Sequence, residues 1–200
     1  MKMDVKEILK PTLILTLIAT IVTVLLVLTN GVTKDKIAEL QAQAEDEAKL
    51  AVLPEADGFE EKTVDVDGAS QTYFEATNGA GYVFSTSSKG YGGAVVVMTG
   101  ISADGEVTGV KLTSQNETPG LGQKALDASY TDQYLMALPE GGFAVKKDDP
   151  AGQIDAIAGA TITSRAVTNS VNAAIDAYNV ITGGANSVSY THLDVYKRQQ

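Results

Sequence analysis

A chain of 200 residues with no cysteine, no tryptophan and a single histidine cannot hold a disulfide framework, a thiolate-ligated metal or iron–sulfur site, or a cysteine nucleophile. Its formal net charge of −10 argues against nucleic acid as a partner, because that binding needs basic surface to displace counterions from phosphates. The length accommodates one soluble domain of ordinary size together with an anchor.

Residues 11–29 are apolar apart from scattered threonines, and no charge lies between Lys10 and Lys34. About 18 such residues cross a hydrocarbon core roughly 30 Å thick as a helix. Lys2, Lys6 and Lys10 precede it, so residues 1–10 are expected in the cytoplasm and the rest of the chain outside, on a single pass through the cell (inner) membrane. A cleaved signal peptide is the competing reading, although its apolar core would be long and no Ala-x-Ala-like site follows directly.

Residues 30–58 read as a juxtamembrane linker. Within them, 34–53 are rich in Ala, Glu, Gln and Lys, with Ile37, Leu40, Ala44, Ala48 and Ala51 near helical spacing. The pattern predicts a helix that ends at Pro54, a solvated connector with no binding role.

From residue 60 to 113 the texture is that of strands. Thr63–Val66 and Gln71–Glu75 flank Asp67-Gly68, a hairpin turn signal, and Ile101 and Val107–Leu112 flank a second at Asp104-Gly105. Tyr82–Phe84 and Ala94–Met98 are further strands, separated by the glycine-rich Lys89-Gly90-Tyr91-Gly92-Gly93. Successive hairpins imply a mainly antiparallel sheet. Helical segments are expected around 122–128 and 132–138. A last helix at about Ser164–Asn179 carries Val167, Val171, Ala174, Ile175 and Tyr178 on one face. The expected class is α+β, one transmembrane helix followed by a sheet domain with packed helices.

Two segments could carry chemistry. In Asn116–Lys124, Pro119-Gly120 sets a turn and Gly122 permits a close backbone approach. In Asp155–Arg165, the small residues Ala158, Gly159 and Ala160 precede hydroxyls at Thr161, Thr163 and Ser164, just where the last helix begins. A helix N-terminus presents unpaired N–H groups and a partial positive charge, so a hydroxyl there could bear a phosphodiester whose charge is already compensated. Arg165 either adds to that compensation or points to solvent. The plainer alternative is a capped helix with Thr163 or Ser164 as N-cap.

The run Val188–Gln199 back-translates as two inverted copies of a transposon end used in preparing sequencing libraries, joined head to head. Residues 188–200 are therefore read as a non-native tail, and the one histidine, His192, belongs to it.

Asp155 followed by Gly159-Ala160-Thr161-Ile162-Thr163 resembles the flavinylation motif of FMN-binding domains. Glu117-Thr118-Pro119-Gly120-Leu121-Gly122 resembles the companion loop of the Rnf-complex G subunit and of the C subunit of the sodium-pumping NADH:quinone reductase; Lys89–Gly93 precedes it as in that family. The shorter domain and the wording of the loop favour the Rnf type. The resemblance implies an FMN-binding domain over 59–187, with FMN joined to Thr161 by a phosphodiester and Thr163 as fallback acceptor. It implies close approach at Gly159 and Ala160, a role for Asp155 in helping a flavin transferase recognise or activate the site, and a wall for the flavin ring from the 117–122 loop with Lys124. Ile162 completes the motif. No catalytic side chain and no metal of its own is implied. The implied setting is a set of membrane subunits that pass electrons between ferredoxin and NAD and couple this to Na+ or H+ movement. One departure is Ala158, where the family usually has Ser or Thr. A flavoprotein anchored in the membrane but working outside such a complex is the alternative, and a surface protein whose Gly-Ala-Thr is only a helix cap is a third class.

Overall fold

The computed structural model describes residues 5–66 and 68–183. Lys2 and the expected tail at 188–200, with His192, lie outside the described residues. The chain divides into two compact units, Met1–Glu45 and Asp46–Gln200.

The first unit is helical, within α1 (Val5–Val52). Its stretch Pro11–Lys34, 24 residues of mean hydropathy 2.6, is long and apolar enough to span a membrane. At 1.5 Å per residue it measures about 36 Å, against a hydrocarbon core of roughly 30 Å. The threonines do not interrupt it. Thr16, Thr20, Thr23 and Thr29 each donate their hydroxyl to the carbonyl four residues back, at 2.8–2.9 Å, so these four hydroxyls are satisfied within the helix itself.

The second unit is built on an antiparallel meander of β1 (Phe59–Val66), β2 (Ala69–Ala76), β3 (Gly81–Lys89), β4 (Ala94–Ser102) and β5 (Val107–Ser114), in that spatial order. Both expected hairpins form: Val66 pairs with Ala69 across the first turn, and Gly105 takes φ +81° in the second. Ile101, which flanks the second turn, belongs to β4.

The helical expectations need three corrections. Residues 122–128 form a 3-10 turn (Gly122–Leu126) followed by the short α2 (Ala128–Thr131). Of 132–138, Asp132–Tyr134 alone is helical. The next residues are drawn into sheet-like bonding at the β4–β5 turn, where Val107 N–H donates to Met136 O and Leu138 N–H to Gly105 O, both at 3.0 Å. The last helix, α3 (Thr161–Thr182), starts three residues before the expected Ser164.

Alternation along the strands gives the sheet two apolar faces. One packs against α3 and buries Phe84, Val95, Val97, Ile101, Val110, Tyr134, Val167 and Val171. The other buries Phe74, Val83 and Met98 beneath Ala48, Val52, Leu53 and Ala56. The end of the 34–53 segment is therefore core, not the solvated connector its composition suggests. The reason is a pair of facing glycines. Gly100 and Gly109 are register partners, and a Cβ at either would come within 2.2–2.5 Å of Val52 backbone atoms. Thr108 Oγ1 donates to Val52 O at 2.5 Å and fixes the seat.

Candidate functional site

The site is assembled around one buried carboxylate. Glu117, just beyond β5, is only 3 % exposed. Its Oε1 accepts the Gly92 N–H at 3.0 Å and its Oε2 accepts the Thr163 hydroxyl at 2.6 Å. Three segments distant in sequence are thereby tied together: the glycine-rich loop after β3, the loop after β5 and the first turn of α3. The glycines make room for this. A Cβ on Gly92 would meet Asn116 O at 1.8 Å, and one on Gly122 would meet Glu117 Cβ at 2.7 Å and Thr163 Oγ1 at 2.9 Å. The close approach expected at Gly122 is thus to Glu117 and Thr163. Pro119-Gly120 forms the expected turn, with Gly120 at φ +75° and Leu121 N–H donating to Thr118 O at 3.2 Å.

The start of α3 is uncapped by any side chain. Its N-cap is Ala160, not Thr163 or Ser164. Ser164 instead accepts the Ile157 N–H at 2.9 Å and donates to Ala160 O at 3.1 Å, which fastens the preceding turn. The first N–H groups of the helix therefore keep their donor capacity for something outside the helix. The three candidate hydroxyls are not alike. Thr163 and Ser164 are buried with their hydroxyls committed. Thr161 is half-buried, and its Oγ1 accepts a hydrogen bond from Lys147 Nζ at 3.0 Å.

Thr161 opens on a cleft of about 580 Å³ whose walls include Glu117, Thr118, Leu121, Gly122, Gly159, Ala160, Ile162 and Thr163. That size is ordinary for a bound cofactor. Most of the residues singled out in the sequence thus meet here, and Gly120 sits on the turn behind them. Lys124 and Asp155 do not. They line a separate depression of about 300 Å³ with Tyr130, Gln133 and Ala158. Asp155 is paired there with Lys146 at 2.8 Å. Arg165 turns away from the cleft to Asp148, its Nε 2.7 Å from Oδ2. That pairing lowers the Asp148 carboxyl and raises the Arg165 guanidinium from their ordinary values.

Two cleft residues have no place among the sequence-derived candidates. Tyr91, 72 % exposed, lies in the glycine-rich run, which carries a family signal but no assigned role. Lys147 has no local signal, because it reaches Thr161 only through the fold.

The FMN-binding domain family matches residues 90–176, and the RnfG N-terminal region matches residues 1–52. The G subunit of the Na(+)-translocating ferredoxin:NAD(+) oxidoreductase complex of Acetobacterium woodii is 38 % identical over 88 % of this chain and 94 % of its own length. The chain belongs to the RnfG family. The G subunit of the ion-translocating oxidoreductase complex of Methanosarcina acetivorans is 34 % identical over 86 % of this chain and 95 % of its own. Among solved structures, the C subunit of the Na(+)-translocating NADH-quinone reductase from Parabacteroides distasonis aligns at 23 % identity and a TM-score of 0.41. It covers 66 % of this chain and 63 %, a little under two thirds, of that one.

As a member of the RnfG family, this chain is a membrane electron-transport subunit with an FMN-binding domain. The cleft and Thr161 fall inside the matched domain, and the apolar stretch falls inside the matched N-terminal region. The residues present fit FMN. A phosphate is accommodated by free N–H groups at a helix start. A flat apolar ring is accommodated by Tyr91, Leu121 and Ile162, exposed by 72 %, 44 % and 48 %.

Proposed function

We propose that FMN is carried as a phosphodiester on Thr161 and that the protein relays electrons inside a membrane complex coupling ferredoxin–NAD electron transfer to Na+ or H+ movement. The observation that carries this is the contrast between hydroxyls at the start of α3: Thr161 faces the cleft, while those of Thr163 and Ser164 are buried and committed. Bound FMN supplies both one- and two-electron chemistry at one site. The protein's own part is placement. Gly159, at φ +79°, brings the chain around to Thr161 with Leu121 Cδ2 3.1 Å from where a Cβ would stand. Glu117 holds the helix start against the loop wall through Thr163.

Attachment requires an activated donor and a flavin transferase. The Thr161 hydroxyl gives up its proton and its oxygen bonds to the FMN phosphorus. A phosphoanhydride bond of a flavin dinucleotide breaks, and a nucleoside monophosphate leaves. The family supports the wider setting: the A. woodii relative is named as Na(+)-translocating, and a G-subunit relative from Clostridium ljungdahlii, 33 % identical, is named as proton-translocating. The other membrane subunits of such a complex are the electron partners.

The test is flavin fluorescence of the denatured band after co-expression with the transferase. The parent chain is expected to fluoresce and Thr161→Ala to be dark; a dark parent, or a bright Thr161→Ala, refutes the attachment. The orientation, with the N-terminus cytoplasmic and the FMN domain outside, is tested separately. The sequence has no cysteine, so an exposed Ser70→Cys gives a unique thiol. A membrane-impermeant maleimide should label it in intact cells, and labelling only after lysis reverses the topology.

A further inference from the structure

Of three basic residues in the segments that meet near the start of α3, Lys146, Lys147 and Arg165, the fold gives two away. Lys146 is held by Asp155 at 2.8 Å, and Arg165 is gripped by Asp148 through both Nε and a terminal nitrogen. Lys147 forms no ion pair among the described residues. Its Nζ donates to Thr161 Oγ1 at 3.0 Å, and its side chain lies on the cleft wall.

This division follows from the backbone. Val145 and Ile154 make a parallel bridge, with Lys146 N–H donating to Ile154 O at 2.8 Å and Ile154 N–H to Ala144 O at 3.1 Å. Immediately afterwards the chain turns, with Asp148 N–H donating to Val145 O at 2.8 Å. Neighbouring residues entering such a turn point in different directions. Lys146 therefore meets Asp155, and Lys147 meets Thr161.

We infer that Lys147 is the positioning residue for modification of Thr161. Its ammonium fixes the acceptor oxygen at the cleft and offsets the charge of the phosphate joined there. The inference rests on the reading of Thr161 as the acceptor. A helix N-terminus supplies only about half a positive charge. The two phosphates of an incoming dinucleotide bring more negative charge than that, and Lys147 adds a full unit charge within hydrogen-bond distance of the reacting oxygen. As a cation it donates to Oγ1 and leaves a lone pair free to attack phosphorus. The hydroxyl proton passes to a base of the transferase, not to Lys147. Once the Oγ1–P bond has formed and the anhydride bond has broken, the same ammonium faces the phosphodiester oxygens. Charge-assisted hydrogen bonds are about twice as strong as neutral ones, and partial exposure weakens this one, so the expected effect is about tenfold in rate.

The experiment uses the full chain, produced without transferase and then mixed with purified transferase and flavin adenine dinucleotide. The initial rate of in-gel flavin fluorescence is followed for the parent, Lys147→Met, Lys147→Arg and Thr161→Ala. Lys147→Met is expected to be about tenfold slow and Lys147→Arg to stay within about threefold of the parent. The gap between parent and Lys147→Met should narrow as salt is raised, and the thermal midpoints of the unmodified proteins should coincide. A Lys147→Met variant labelled at the parental rate overturns the inference while leaving Thr161 as acceptor. Equal slowing by Met and Arg, or a lowered thermal midpoint that tracks the rate, overturns it in favour of a packing role. A dark parent removes Thr161 as acceptor and the inference with it.

Discussion

The two faces of the sheet are closed in different ways, and the difference separates what holds the fold from what holds the site. Against one face lies the full length of α3, with aromatic side chains and buried hydroxyls linked by hydrogen bonds, such as Tyr134 to Thr168 at 2.8 Å and Tyr130 to Ser164 O at 3.3 Å. Against the other lie the last turns of α1 and the residues just after it, with Val52 seated backbone to backbone on Gly100 and Gly109. The first face runs up to the cleft, because the helix that covers it begins at Thr161. None of the residues buried at the second lines the cleft, and its seat is a matter of close fit. Sterics govern one face, polar satisfaction and titration the other.

Substitution at the glycine seat should separate them most sharply. Gly109→Val places a side chain where its first carbon already meets Val52 Cα at 2.5 Å, and overpacking of this kind costs about 3 kcal/mol. The denaturant midpoint of the second unit should fall accordingly, and a midpoint within error of the parent would mean that the seat tolerates a side chain. A smaller loss is expected at the junction of sheet and site. Glu117→Ala strips the Thr163 hydroxyl and the Gly92 N–H of their acceptor, a cost of about 2 kcal/mol for buried donors left unpaired. Urea titration reads this, and Glu117→Gln, which retains one acceptor oxygen, should recover part of it. Recovery absent from the Gln variant would show that the charge, not the hydrogen bonding, matters.

The mildest effect is chemical. Burial raises the Tyr130 and Tyr134 hydroxyls above their ordinary value of 10.0. A group whose folded pKa is raised contributes stability that is fully present below its unfolded pKa and is lost as pH rises beyond it. Stability should therefore decline above about pH 10, through the α3 face. Tyr134→Phe should cost about 1 kcal/mol at neutral pH, for the lost bond to Thr168, and should flatten the alkaline decline. Identical alkaline slopes for parent and variant would acquit Tyr134.

Local signals serve where local chemistry decides. Asp104-Gly105 and Pro119-Gly120 announce their turns, the charge-free stretch after Lys10 announces its helix, and the Glu117 and Thr161 segments can be singled out from their order along the chain. Beyond reach are the outcomes set by long-range contact. Leu135–Leu138 has a helical composition, yet bonding to the β4–β5 turn overrides it. Ala48 and Val52 look like positions on a solvated helix, because the glycines that receive them are some fifty residues downstream. Lys146 and Lys147 are indistinguishable in sequence, and a single parallel bridge decides which of them reaches Thr161. Arg165, adjacent to the motif, looks the better cation in sequence, and Asp148 claims it.

The seat of Val52 also dictates where this protein can be cut. The sheet begins at Phe59, which makes that residue an inviting first position for a water-soluble fragment. A fragment starting there would lose Ala48, Val52 and Leu53, leaving Phe74, Val83 and Met98 bare and Thr108 without its acceptor. Such a face invites self-association. Begun at Asp46, the fragment keeps its own lid and discards the apolar stretch Pro11–Lys34 together with the polar turns that follow it.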